Sequence, residues 1–78
     1  MKAIILAGGK GERLNPLTKR IPKPMVKIGG KPVLEHTINL LKAHGIKEII
    51  LCVGYLSDVI VNYFGNGKKI GVSIEYIY

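Results

Sequence analysis

A single cysteine, Cys52, leaves no disulfide to form within the chain. It sits in an apolar run and reads as a small, reduced core residue. No group of cysteines and histidines has the spacing of a zinc site. His36 and His44 fall on one expected helix but too far apart to share a metal, and His44 reads as a last-turn residue favoured by the helix dipole. No apolar stretch approaches the ~18 residues a membrane helix needs. The apolar residues 3–7 are too few for a signal peptide and run into Gly8-Gly9 rather than a cleavage site, so the cytoplasm is the expected compartment. Internal repeats and low-complexity linkers are absent. With 78 residues there is room for one domain and a modest core, and an apolar content of 47% is that of a globular chain rather than a disordered one.

Acids are scarce, five against twelve basic side chains, and the imbalance is local. Residues 1–31 hold Lys2, Lys10, Arg13, Lys19, Arg20, Lys23, Lys27 and Lys31 against Glu12 alone, a net of +7, whereas residues 32–78 are neutral. A positive field confined to one stretch favours an anionic ligand, which could be a nucleotide, a sugar phosphate or a nucleic acid. No recognition helix or aromatic surface accompanies the basic stretch, which weighs against a nucleic-acid-binding module. Tyr63, Phe64, Tyr76 and Tyr78 read as core or edge packing rather than as a base-stacking platform.

Residues 2–7 form a continuous apolar run, the pattern of a strand buried on both faces in a parallel sheet. Five glycines and three prolines between residues 8 and 31 predict a long structured loop, and loops of that length in compact domains are usually functional. Pro32 suits the first position of a helix whose apolar face carries Val33, Leu34, Thr37, Ile38 and Leu41, with Gly45 just past its end. Residues 48–53 read as a second buried strand. Ser57 is placed to cap a short helix carrying Val59, Ile60, Tyr63 and Phe64, ended by Gly65. A turn over residues 65–69 leads to an alternating strand over residues 72–78, with Ile74 and Tyr76 on one face. Right-handed crossovers make this an α/β fold, the three-stranded parallel βαβαβ half of a doubly wound Rossmann-like sheet, with the first strand at an edge. An apolar edge strand and a chain ending on a strand suggest that more sheet follows, or that the chain self-associates through strand one or the unfinished face of the sheet.

The chemistry is concentrated after the first strand, where ligands of open α/β sheets bind. Gly8, Gly9 and Gly11 allow a sharp turn and close approach of backbone N–H groups to phosphates. A P-loop is excluded because no Gly-Lys pair is followed by Ser or Thr, and the dinucleotide fingerprint is excluded because Leu14 stands where its third glycine belongs. The larger pattern runs Leu6-Ala7-Gly8-Gly9-Lys10-Gly11-Glu12-Arg13-Leu14, then Pro16-Leu17-Thr18, Pro22-Lys23-Pro24-Met25 and Gly30-Lys31-Pro32. It resembles the signature of the nucleoside-diphosphate-sugar pyrophosphorylases, the sugar-phosphate nucleotidyltransferases.

That resemblance implies a transferase that joins a sugar 1-phosphate to a nucleoside triphosphate and releases pyrophosphate, with residues 1–78 the incomplete N-terminal nucleotide-binding part of its domain. Leu6, Ala7, Gly8 and Gly9 match the segment holding base and ribose, and Gly11 matches the turn over the phosphates. Arg13 matches the arginine on the β- and γ-phosphates, and Lys23 the lysine that neutralises phosphates at the reacting centre. Such cations offset the charge of two anions brought together. Lys10, Lys19, Arg20 and Lys27 are expected to be solvated or weakly steering. The family's Mg²⁺ is expected for the full enzyme, through a carboxylate that matches no position in this chain, so no metal ligand is assigned and the chain alone is expected to be inactive. A non-catalytic regulatory subunit of the same fold is the other reading, against which the presence of both Arg13 and Lys23 counts.

Overall fold

The computed structural model describes residues 1–7 and 22–78. Strand β1 (Lys2–Leu6) leads to a 3-10 turn over Lys23–Met25, a hairpin of β2 (Lys27–Ile28) and β3 (Lys31–Pro32), helix α1 (Val33–Ala43) and strand β4 (Glu48–Cys52). Helix α2 (Ser57–Phe64), a 3-10 turn over Lys68–Ile70 and strand β5 (Ser73–Ile77) complete the order. β1, β4 and β5 form a parallel sheet in that order, so β1 is an edge strand as expected and β4 is central. β2 and β3 form a separate antiparallel pair.

Alternation along the strands divides the sheet into two unlike faces. Ile49, Leu51 and Val53 of the central strand point to one side, where they meet Ile38 and Leu34 of α1, Ile60 and Phe64 of α2, and Ala7, Val72 and Ile74. Both crossovers advance in the same direction across the sheet, and right-handed connections then put both helices on one face. Among the described residues nothing packs on the other face. Ile4, Leu6 and Ile77 there are 67%, 83% and 54% exposed, with Ile50 and Cys52 half-buried between them in the paired rows Ile4–Ile50–Glu75 and Leu6–Cys52–Ile77. The expectation of a first strand buried on both faces is therefore corrected. Its run is apolar throughout, but only Ala3 and Ile5 turn towards the helices.

Three local expectations also change. The region before α1 is not all loop, because Gly29 and Gly30, both at positive φ, make a two-residue turn between the short strands of a hairpin. Pro32 is the residue before the helix rather than its first residue. Its fixed φ of −57° with an extended ψ of 146° turns the chain from β3 into α1. Ser57 is the first residue of α2 and makes no capping bond. Leu56, left-handed at φ 52°, stands before it. Gly45 follows α1 at φ 84°, as read from the sequence.

Among the described glycines, Gly67 has the least room for a side chain against rigid neighbours. Its φ is 82°, and an added Cβ would lie 2.7 Å from Ile74 Cγ1 and 2.9 Å from the Val72 carbonyl oxygen. Gly67→Ala is expected to cost about 2–4 kcal/mol, from left-handed strain and overpacking together. Chemical denaturation checks this, and Gly45→Ala, with no atom within 4 Å of its Cβ, isolates the strain alone.

Candidate functional site

β1 delivers its carboxyl end to the rim of the sheet. Ala7 continues the ladder by donating its N–H to the Cys52 carbonyl at 2.8 Å, and its side chain is buried in the core. Leu6, one residue earlier, points away from that core and is largely exposed. The chain returns at Pro22, fully buried, followed by the 3-10 turn. Its bonds run from Met25 N–H to the Pro22 carbonyl (2.9 Å) and from Val26 N–H to the Lys23 carbonyl (3.1 Å). Pro24 suits this turn, since proline fixes φ and lacks an N–H to satisfy. Buried Pro22 and Met25 anchor the backbone on both sides of Lys23, whose side chain is left on the surface.

Between β1, this turn, the hairpin and the start of α1 lies a cleft of about 580 Å³, within the ~300–1,000 Å³ usual for small-molecule sites. Ile5 and Leu6 form one wall, Lys23, Pro24, Val26 and Ile28 another, and Val33, Leu34 and Thr37 the floor. Among the described residues the walls are mostly apolar, and Lys23 is the only charged one lining them. An ammonium group at the mouth of an apolar cleft, beyond the carboxyl end of a parallel strand, suits a ligand with an anionic part and a flat, less polar part.

Of the residues singled out in the sequence, the structure brings Leu6 and Lys23 to one cleft. Ala7 has its N–H committed to the ladder and its side chain in the core. Gly8, Gly9, Gly11 and Arg13 lie outside the described residues. No group of three or more His, Cys, Asp or Glu gathers as a metal site among the described residues. No described helix is long and apolar enough to cross a membrane. His36 and His44 bond separate carbonyls, those of Ile28 (2.7 Å) and Leu40 (2.9 Å).

Sequence reasoning did not find Glu35. It is buried on α1, and its Oε1 accepts a hydrogen bond from the Tyr63 hydroxyl at 2.6 Å while Oε2 lies 3.9 Å from Lys31 Nζ. Lys31 lies in β3 and not on the helix, so its four-residue spacing from Glu35 carries no helical-pair signal. The Tyr63 contact spans 28 positions and had none. Tyr63 has its pKa raised, first by the hydrogen bond to the carboxylate and then by burial. Tyr76, which donates to the Gly65 carbonyl at 2.6 Å, is raised by burial and then by the neighbouring Tyr78 phenol. Raised folded-state values mean that both contributions are complete below the ordinary phenol value of ~10 and are lost as pH climbs through the folded values. The urea midpoint is therefore expected to fall above pH ~10. The fall should be smaller in Tyr63→Phe, and equal falls in both proteins would contradict the assignment.

The model of the nucleotidyl transferase family matches residues 2–78. A UTP–glucose-1-phosphate uridylyltransferase of Synechocystis is 47% identical over 78 residues, all of this chain and 20% of that protein. A glucose-1-phosphate cytidylyltransferase of Salmonella typhimurium is 56% identical over 66 residues, 85% of this chain and 26% of that one. Among solved structures, CTP:phosphocholine cytidylyltransferase from Streptococcus pneumoniae superposes with a TM-score of 0.80 at 45% identity, over 97% of this chain and 32% of that chain. This chain thus spans between a fifth and a third of the length of these proteins.

Proposed function

Since this chain belongs to the nucleotidyl transferase family, we propose that it holds the triphosphate of a nucleotide and forms part of an enzyme that transfers a nucleotidyl group to a sugar 1-phosphate. The observation that carries this reading is the meeting of Leu6 and Lys23 in one cleft at the carboxyl end of β1. The reaction calls for such an arrangement. An oxygen of the acceptor phosphate attacks the α-phosphorus, the bond to the β-phosphate oxygen breaks, and pyrophosphate departs with the electron pair. Attacking and leaving groups are both anions, so a cation fixed beside them lowers the barrier by offsetting charge where it develops. Lys23 supplies that cation, and the apolar wall of Ile5 and Leu6 suits the nucleoside. Gly8, Gly9, Gly11 and Arg13 complete the phosphate cradle in this reading, on the strength of the resemblance in sequence.

The names of the relatives narrow what the matched stretch does. They differ in base, uridylyl against cytidylyl, and in acceptor, glucose 1-phosphate against phosphocholine. What they share is transfer from a nucleoside triphosphate to a phosphorylated acceptor. The matched stretch therefore suits the shared step, with base and acceptor selected by other parts of a whole enzyme. Mg²⁺ is expected with the nucleotide. No group of three or more His, Cys, Asp or Glu gathers to hold it among the described residues. Calorimetric titration with several nucleoside triphosphates and with inorganic triphosphate, each with and without Mg²⁺, tests the reading. Binding that needs the triphosphate and varies little with the base supports it. Absence of heat with every triphosphate, or equal heats with nucleoside monophosphates, would refute it.

The exposed row of Ile4, Leu6 and Ile77 also supports self-association of the 78-residue chain through the sheet face that no described residue covers. Sedimentation should show oligomers that Ile4→Lys and Ile77→Lys together disperse. A wild-type monomer at the same concentration would count against it.

A further inference from the structure

We propose that Glu35 is a positioning residue for Lys23, acting through the hairpin that joins them; the proposal rests on the reading of Lys23 as a phosphate-binding cation. Glu35 is the one charged residue buried among the described residues, at 8% exposure. A buried carboxylate is unfavourable unless both its oxygens find partners, and an apolar side chain of similar size would pack α1 against α2 as well. The better-attested use of such a group is to fix one arrangement of elements over others.

The arrangement that Glu35 fixes is visible in its partners. Tyr63 reaches Oε1 from α2, and Lys31 reaches Oε2 from β3. Two neighbours of Glu35 hold the same hairpin to the first turn of α1. Val33 donates its N–H to the Val26 carbonyl at 2.9 Å, and His36 Nε2 lies 2.7 Å from the Ile28 carbonyl oxygen. Val26 in turn closes the 3-10 turn by donating to the Lys23 carbonyl at 3.1 Å. An unbroken series of contacts therefore runs from α2 through Tyr63, Glu35, the start of α1 and the hairpin to the backbone of Lys23. Because the Lys23 side chain stands on the surface, its placement follows that of its backbone. Small misplacements of a charged group at a reacting centre carry large penalties.

The sign of the effect separates this proposal from plain electrostatics. Removing a negative charge near an anion site should tighten anion binding by Coulomb's law alone. If Glu35 positions Lys23, Glu35→Gln weakens binding of inorganic triphosphate instead, by about 5–10-fold, and Tyr63→Phe weakens it in the same direction with every charge kept. In a Lys23→Ala background neither change has a further effect, because the group they position is gone. Tighter binding in Glu35→Gln, or equal weakening with and without Lys23, overturns the proposal.

Hydrogen exchange supplies a readout that needs no ligand. The Val26 and Val33 amides should exchange at least about ten times faster in Glu35→Gln and Tyr63→Phe, with Leu51 in the central strand unchanged. Unchanged rates at Val26 and Val33, or equal acceleration at Leu51, would show that Glu35 does not hold the hairpin. If the wild-type chain bound no triphosphate, the reading of Lys23 would fail by itself, while the exchange rates would still decide whether Glu35 fixes the hairpin.

Discussion

Leu51→Ala is expected to lower the unfolding free energy by about 3–5 kcal/mol, the upper part of the range for large-to-small substitutions at fully buried sites. Leu51 has no exposed surface and sits mid-way along β4, between β1 and β5, where it packs with the buried residues of both helices. The surrounding backbone is held by ladders on both sides, so the cavity cannot easily collapse. A domain of this size commands only about 4–12 kcal/mol in total. A loss of that magnitude therefore takes a large share of the stability, and the urea midpoint should fall in proportion. Leu40 provides the control. It is a leucine of α1 that is 62% exposed, and Leu40→Ala should cost under about 0.5 kcal/mol. Urea denaturation of the two variants compares them directly. Similar midpoints would mean that the core does not lie between the sheet and the two helices.

Lys23→Ala is expected to weaken binding of a nucleoside triphosphate by about 30–100-fold, corresponding to about 2–3 kcal/mol for one charge-assisted contact to phosphate. Lys23 is the only cation lining the described part of the cleft, so no described neighbour replaces it. Lys23→Arg should recover part of the affinity, because a planar fork on a longer stem meets phosphate oxygens differently from a compact ammonium. Lys68 serves as the comparison. It is an exposed lysine on the turn before β5 and is absent from the cleft. Lys68→Ala should leave the affinity within about twofold, since a distant exposed charge is largely screened at physiological salt. Equal losses in both variants would reduce the interaction to the general attraction of a chain with net charge +7.

The order of strands and helices was legible because hydrophobic periodicity is a local property. Ile38 and Leu34 at helical spacing and the run from Ile49 to Val53 report their elements without knowledge of the rest. Whether one or both faces of a strand are covered is not local. It depends on the direction in which successive crossovers advance, which no residue of β1 encodes, and so β1 read as buried on both faces while Ile4 and Leu6 lie on a face that no described residue covers. The hairpin of β2 and β3 was hidden for another reason. Its strands have two residues each, too short for alternation to register, although Gly29-Gly30 was a turn signal that could have been used. The cap of α2 was misplaced because Ser57 is a common capping type, whereas Leu56 adopts a left-handed backbone that leucine seldom takes.

The candidate site was legible in part. Position after the first strand, together with the resemblance of the glycine and Pro-Lys-Pro segments, singles out Leu6 and Lys23 from sequence, and the two line one cleft. The contacts that hold Lys23 in place carry no such mark. Glu35 and Tyr63 are 28 positions apart, and a buried carboxylate cannot be told from an exposed one by residue type. The hairpin was therefore illegible in two senses, as secondary structure and as the support beneath the lysine.

Amide chemical-shift mapping of the isotopically labelled chain, titrated with a nucleoside triphosphate and Mg²⁺, reports whether the triphosphate occupies the cleft at the carboxyl end of β1. The resonances of Leu6, Ala7 and Lys23 should move together and saturate at one ligand concentration, while those of residues 66–70, on the turn before β5, stay in place. Movement confined to residues 66–70, or spread evenly over every exposed lysine, would contradict binding in the cleft.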